Sequence, residues 1–132
     1  MNKLSFASDY MAGAHPAVMA RLNETNLWNT AGYGCDEFSE SARRKIREAA
    51  KCPKAAVYFL VGGTQTNATV IDALLPSYQG VISADSGHVS VHEAGAIEFT
   101  RHKVLPLPQR NGKISAAQID AYCRCFYEDG NH

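Results

Sequence analysis

The sequence lacks an excess of charge of either sign. Thirteen lysines and arginines balance thirteen aspartates and glutamates in 132 residues. Proteins that bind nucleic acid or anionic membranes by neutralising phosphates carry an excess of basic residues, so the balance argues against both partners. The sequence also lacks an apolar run long enough for a signal peptide core or a membrane span. We therefore expect a cytoplasmic protein with one compact domain.

The four cysteines do not follow the spacing of a disulfide framework or a closed zinc site. His88 and His92 lie four residues apart, as two metal ligands on one helix can, but no third ligand stands at a suitable spacing. The sequence therefore predicts free, partly buried thiols and no metal. A zinc module built from the two histidines together with Cys123 and Cys125 stays open as an alternative that metal analysis would test.

Short β-favouring runs alternate with helical patterns along the chain. Strands are predicted at Ala55–Val61, Val81–Ala84 and Val104–Leu107. Helices are predicted from Pro16, over Phe38–Lys51 with Ser39 or Ser41 near its start, from Thr64, over Val91–Phe99, and from Ser115, where Gln118 completes a capping box. This alternation predicts an α/β fold with a partial, largely parallel sheet and flanking helices.

A glycine pair follows the first predicted strand and precedes a helix. Gly62 and Gly63 would let a backbone approach an anion closely, and the helix start at Thr64 would offer N–H groups and a hydroxyl. The lysine and spacing of a Walker loop are absent, as is the dinucleotide pattern of three glycines. The residues alone leave two interpretations open, a phosphate-binding loop and a plain strand-to-helix turn.

A second polar segment, Asp85–Glu93, follows the second predicted strand. Ligands of α/β proteins collect beyond the carboxyl ends of parallel strands, where this segment and the glycine pair are both expected. An imidazole there can stack on a flat cofactor or move protons, so we interpret His88 as functional and His92 as a surface or core residue. Near the N-terminus, Ser8–Asp9 has the character of a loop. Trp28 and Tyr33 lie in a polar loop and are expected to pack on the core or to contact a partner subunit.

Together these segments resemble the L-threonine aldolase and beta-eliminating lyase family of pyridoxal-phosphate enzymes, which have the aspartate aminotransferase-like fold. The resemblance spans nearly all of the chain. The phrases that carry it are Phe6–Tyr10, Tyr33–Gly34, Gly62–Asn67, Ala84–His88 and His92–Ala96. It implies that residues 1–132 are the N-terminal part of the large domain that binds pyridoxal 5'-phosphate, and that the protein forms a homo-oligomer.

The resemblance also assigns roles to residues. Gly62, Gly63 and Thr64 match the loop that holds the cofactor phosphate, although many members have serine at the first of these positions. His88 matches the histidine that stacks on the pyridine ring and handles a proton at the substrate hydroxyl. Glu93 matches a glutamate near the catalytic water, and Ser8 matches a serine near the substrate carboxylate. Tyr33 lies in a segment that approaches the neighbouring subunit's site.

None of the six lysines stands in the context of the family's Schiff-base lysine. We therefore expect a truncated chain, without the lysine-bearing part and the C-terminal small domain, that is inactive alone. The resemblance implies that the full-length parent cleaves a β-hydroxy-α-amino acid, L-threonine or L-allo-threonine, to glycine and an aldehyde, with the cofactor as electron sink. A beta-eliminating lyase of the same family and an inert dimerising or phosphate-binding fragment remain alternatives.

Overall fold

The computed structural model describes residues 5, 7, 8 and 10–128, which fall into two compact units, Met1–Val57 and Tyr58–His132. The first unit contains helices α1 (Pro16–Thr25) and α2 (Glu37–Ala49). The second contains α3 (Gly63–Leu74), β1 (Gly80–Ala84), α4 (His88–Val91), α5 (Ala96–Phe99), β2 (Lys103–Leu107) and α6 (Ala116–Glu128). Within the described residues, no helix has both the length and the apolar character that a membrane span requires.

The two helices of the first unit begin at side-chain caps. Pro16 is the first residue of α1, as predicted, and the His15 ring accepts a hydrogen bond from the backbone of this first turn. Helix α2 begins one residue earlier than predicted, because the capping residue is Asp36. Its carboxylate accepts hydrogen bonds from the Ser39 N–H at 2.8 Å and the Ser39 hydroxyl at 2.7 Å. Both caps satisfy N–H groups that have no partner inside the helix.

Aromatic packing joins the end of α1 to the start of α2. The rings of Trp28 and Phe38 lie 5.7 Å apart, and the Arg21 guanidinium lies within 5.7 Å of both ring centroids. Trp28 therefore packs in a surface cluster of its own unit and not on the core, and contact with a partner subunit stays a prediction. Stacking of this kind stabilises a surface cluster by roughly 0.5–1 kcal/mol for each cation–π contact.

The predicted strand at Ala55–Val61 is wrong. The segment is irregular, and the sheet of the described residues has two strands, neither of which pairs with it. Two of its carbonyl groups accept from arginine side chains instead: Arg47 donates to the Ala55 oxygen at 2.8 Å and Arg43 to the Val57 oxygen at 3.3 Å. An apolar run becomes a strand only beside a hydrogen-bonded neighbour, which the run itself cannot supply.

The sheet of the second unit is parallel, as predicted. Val81 of β1 pairs with Val104 of β2, and Ala84 pairs with Leu107 at the carboxyl ends of the strands. Val104 and Leu107 are buried together with Ile97 of α5, which is fully inaccessible. These side chains form the core of the unit. The capping box is also present, because Ser115 and Gln118 exchange hydrogen bonds at the start of α6.

The predicted continuous helix over Val91–Phe99 is also wrong. Two single-turn helices, α4 and α5, take its place, and the chain reverses between them at Ala94 and Gly95, which have φ angles of 51° and 76°. Two successive left-handed residues end a right-handed helix, and alanine adopts this conformation only at an energetic cost. The break leaves Glu93 at the bend, where its side chain is buried.

We expect Gly80→Ala to destabilise the second unit. A β-carbon at Gly80 would lie 2.6 Å from the Lys103 carbonyl oxygen, a backbone atom held by the pairing of the strands. Such overpacking costs about 1–3 kcal/mol, which chemical denaturation followed by circular dichroism would measure. Gly63→Ala is the matched control, since a β-carbon there meets nothing within 4 Å. Equal stabilities for the two variants would contradict the close approach of the strands.

We expect the cap of α2 to weaken in acid. The hydroxyl and then the N–H of Ser39 lower the pKa of Asp36 from 3.8 by donating to its carboxylate. A lowered pKa stabilises the folded chain above the unfolded value, and this stabilisation disappears as the pH falls through the folded value. Asp36→Asn keeps a capping oxygen that does not titrate. Helicity measured from neutral pH to pH about 2 should therefore fall less in the variant, and parallel curves would contradict the role of the carboxylate.

Candidate functional site

The glycine pair lies where a ligand could approach the backbone. Gly62 is extended and caps α3, whose first turn receives no side-chain cap. Neither Gly62 nor Gly63 has a positive φ, and a β-carbon at either position would meet nothing within 4 Å. Neither backbone strain nor packing therefore requires glycine here. The backbone here is open to close approach by another group, and the N–H groups at a helix start suit an anion.

Thr64 is the hydroxyl of this turn that remains available. It is exposed in the first turn of α3, whereas the Thr66 hydroxyl already donates to the Gly62 carbonyl at 2.9 Å. Gln65 holds the residues before the turn, because its side-chain oxygen accepts from the Val61 N–H at 2.9 Å. The turn therefore combines an accessible backbone, the N–H groups of a helix start and the exposed Thr64 hydroxyl. These are the groups that bind phosphate in proteins.

Glu93 is the most unusual polar residue of the second unit. Its side chain is fully inaccessible to solvent, yet it approaches the ring of His88, which is 61% exposed. The Glu93 Oε1 atom lies 2.7 Å from His88 Nδ1 and 2.6 Å from Asn67 Nδ2. An ionised carboxylate only accepts hydrogen bonds, so the contact assigns the proton of the imidazole to Nδ1. The other ring nitrogen, Nε2, then carries the lone pair that a base requires.

The second carboxylate oxygen, Glu93 Oε2, is buried and has no hydrogen-bond partner among the described residues. A buried acceptor of this kind costs about 1–3 kcal/mol unless something bonds to it. Native proteins keep few such atoms, and those that persist are often functional. The open glycine turn and this unpaired oxygen both fit a site that takes polar groups from outside the described chain.

One residue of the turn and one residue of the bend line the same cleft. Its volume is about 780 Å³, and its walls come from α3 on one side and from the α4–α5 bend and α5 on the other. Thr64 lines the cleft at the start of α3, and Glu93 lines it at the bend. The size is that of a pocket for a small molecule or cofactor.

Ser8 and Tyr33 belong to the first unit. Ser8 is half-buried and its hydroxyl accepts from the Tyr10 N–H at 3.4 Å, while Asp9 lies outside the described residues. Tyr33 is fully exposed at a left-handed turn with φ 61°, and the next carbonyl, of Gly34, accepts from Arg43 at 2.8 Å. Contact of Ser8 with a substrate and of Tyr33 with a neighbouring subunit stay predictions.

Two residues of the second unit escaped the sequence-based predictions. Asn67 was part of a motif but had no role, although it holds Glu93. His102 is almost completely buried, with Nδ1 3.0 Å from the Gln79 carbonyl and Nε2 3.3 Å from the Asp72 carboxylate. His102 directly precedes β2, and Gln79 directly precedes β1. These contacts therefore connect α3 to the amino ends of both strands. A polar residue directly before a strand was the only signal, and it is too common to be informative.

The described residues include no group of three histidine, cysteine or acidic side chains that could hold a metal ion. His88 and His92 do approach each other, with ring centroids 5.5 Å apart, and His92 is exposed, as expected of a surface histidine. All four cysteines are free, but Cys123 alone is half-buried and the other three are exposed, so the expected burial of the thiols is mostly wrong.

Comparison with known proteins gives a consistent result. A sequence model of the Beta-eliminating lyase family matches residues 5–129. Low specificity L-threonine aldolases from Pseudomonas sp. (strain NCIMB 10558) and Pseudomonas aeruginosa are 31% and 33% identical over 116 residues. A threonine aldolase structure from Leishmania major superposes with a TM-score of 0.83 at 41% identity and covers 86% of this chain.

The match involves part of each relative. The chain covers 33% of the length of both Pseudomonas enzymes and 33% of the Leishmania major structure, and 86% of this chain takes part in each alignment. The chain therefore spans about a third of the length of the relatives it matches.

Proposed function

The chain belongs to the Beta-eliminating lyase family, and we propose that it supplies the cofactor-phosphate loop and an acid–base pair of a threonine aldolase site. The single observation that carries the proposal is Glu93, whose buried carboxylate bonds to the exposed His88 and which lines the same cleft as Thr64, next to the open glycine turn. The proposed reaction is the cleavage of a β-hydroxy-α-amino acid, such as L-threonine, to glycine and an aldehyde.

Pyridoxal 5'-phosphate is the proposed cofactor, and the residues present fit it. Its phosphate dianion suits the N–H groups of the Gly62–Gly63 turn and the Thr64 hydroxyl, because no side chain already caps this helix start. When bound, the cofactor supplies an electron sink for the charge that carbon–carbon cleavage leaves on the glycine carbon. A lysine that would bind it covalently is not assigned in this chain.

His88 is the proposed proton acceptor for the substrate hydroxyl. Glu93 holds the Nδ1 proton, so Nε2 is the nitrogen that can take the β-hydroxyl proton as the carbon–carbon bond breaks. The buried carboxylate also stabilises the imidazolium that forms, because the two opposite charges lie close together away from water. Glu93 acts through the ring and does not need to meet the substrate itself.

Beta-elimination is the alternative within the family, and the products separate the two reactions. Cleavage of the carbon–carbon bond releases glycine and an aldehyde, whereas elimination of a β-substituent releases a 2-oxo acid and ammonia. The relatives favour the aldolase reaction, since all three are threonine aldolases. A chain that binds phosphate without taking part in catalysis would give neither set of products.

We expect the chain to bind pyridoxal 5'-phosphate more tightly than pyridoxal, and Thr64→Ala to weaken this binding. Loss of a hydrogen bond to a charged group costs about 1.5–3 kcal/mol, or roughly a 10- to 100-fold higher Kd by titration calorimetry. Thr69→Ala, an identical change further along α3, should have little effect. Equal losses of affinity in the two variants would mean that the ligand lies along the cleft and not at the turn. Equal affinity for pyridoxal 5'-phosphate and pyridoxal would overturn the assignment of the phosphate loop.

We expect His88 to act chemically in the proposed reaction. In a chimera that carries the matched segment of this chain within the Leishmania major threonine aldolase, His88→Phe keeps an aromatic face and removes both nitrogens. Glycine release from L-threonine should fall by roughly 10²- to 10⁴-fold, the usual contribution of a positioned acid or base. His92→Phe is the control on the neighbouring exposed histidine. Restoration of activity by Phe but not by Ala would mean that His88 only stacks.

A further inference from the structure

Asn67 occupies a position that none of the assigned roles explains. It lies half-buried in the second turn of α3, 26 residues before Glu93, and its Nδ2 atom is 2.6 Å from Glu93 Oε1. The same oxygen atom is 2.7 Å from His88 Nδ1. One carboxylate oxygen therefore contacts two groups, one on the long helix α3 and one on the exposed ring of His88.

The chemistry of the three groups allows one consistent arrangement. An ionised carboxylate has only acceptor oxygens, so the amide must present its NH₂ group and the imidazole must present Nδ1–H. Water cannot replace either donor, because the Glu93 side chain is inaccessible. With Oε2 unpaired among the described residues, Asn67 and His88 provide the hydrogen bonds that the buried charge has.

His88 cannot hold this arrangement by itself. Its ring is 61% exposed and it stands in α4, a helix of four residues, whereas Asn67 is fixed in the twelve-residue α3. The rigid partner of the carboxylate is therefore the amide. Without the amide, the buried carboxylate would keep one hydrogen-bond partner, the exposed ring of His88, and its position against Nδ1 would no longer be fixed by a long helix.

We infer that Asn67 is a positioning residue that fixes the Glu93 carboxylate and thereby sets the Nδ1–H tautomer of His88. It contacts neither ligand nor cofactor in this role. The inference rests on the proposed function, in which the free Nε2 of His88 takes a proton. Asn67 holds Glu93, and Glu93 in turn orients His88. The second step resembles the way in which an aspartate orients the histidine of a catalytic triad.

The tautomer can be measured in the chain itself by ¹⁵N NMR of the histidine rings, at about pH 9 where imidazole is ordinarily neutral. We expect His88 to show a protonated Nδ1 and an unprotonated Nε2. Asn67→Leu has nearly the same volume and no donor, and should convert this single form into a mixture with Nε2–H. Asn23→Leu, the same change at an exposed position of α1, should leave His88 unaltered. A folded Asn67→Leu chain with native His88 shifts would overturn the inference.

A measurement on the native chain tests the same contact if Asn67→Leu does not fold. The Asn67 side-chain amide should exchange its hydrogens at least roughly tenfold more slowly than that of exposed Asn23, because its hydrogen bond lies against an inaccessible carboxylate. Equal exchange rates would overturn the inference. A native His88 in the Nε2–H form would instead overturn the His88–Glu93 geometry of the proposed function, while cofactor-phosphate binding at Thr64 depends on neither result.

Discussion

The parallel pairing of β1 with β2 is the constraint on which the second unit depends. It brings the carboxyl ends of both strands together, and the ladder continues past Ala84 because the Asp85 N–H donates to the Leu107 carbonyl at 2.8 Å. The chain must then turn sharply, and Gly87 permits this, since a β-carbon there would lie 2.2 Å from the Ser83 hydroxyl. The Ser90 hydroxyl closes the turn on the Ala84 carbonyl. The start of α4 is thereby fixed at the end of the sheet.

The buried carboxylate follows from this geometry. Once α4 is fixed, the left-handed residues Ala94 and Gly95 reverse the chain and direct Ile97 into the core. Glu93 directly precedes these two residues, and its side chain is buried as well. Burial of a charge is tolerated only with hydrogen-bonding partners, which here come from α3 and from the exposed ring of His88. The energetic cost of burying the carboxylate is therefore offset by groups on α3 and α4, whereas β2 and α5 form the core.

The proposed function accounts for the occurrence of these features together. A cofactor with a phosphate at one end and a reacting centre at the other needs an anion site and a proton-handling group at a fixed separation. Thr64 at the start of α3 and Glu93 at the α4–α5 bend line one cleft, and His88 contacts Glu93. The chain spans about a third of the relatives it matches, so these residues provide part of the proposed site.

Local signals in the sequence determined the parallel α/β class, the start of α1 at Pro16 and the capping box at Ser115, because each depends on neighbouring residues. Tertiary structure decided the rest. The run at Ala55–Val61 has strand-forming side chains but no adjacent strand among the described residues. The helix break at Ala94 depends on the core, in which Ile97 is buried. The contact of Asn67 with Glu93 joins residues 26 positions apart, and no local pattern encodes a hydrogen bond that only the folded chain brings within reach.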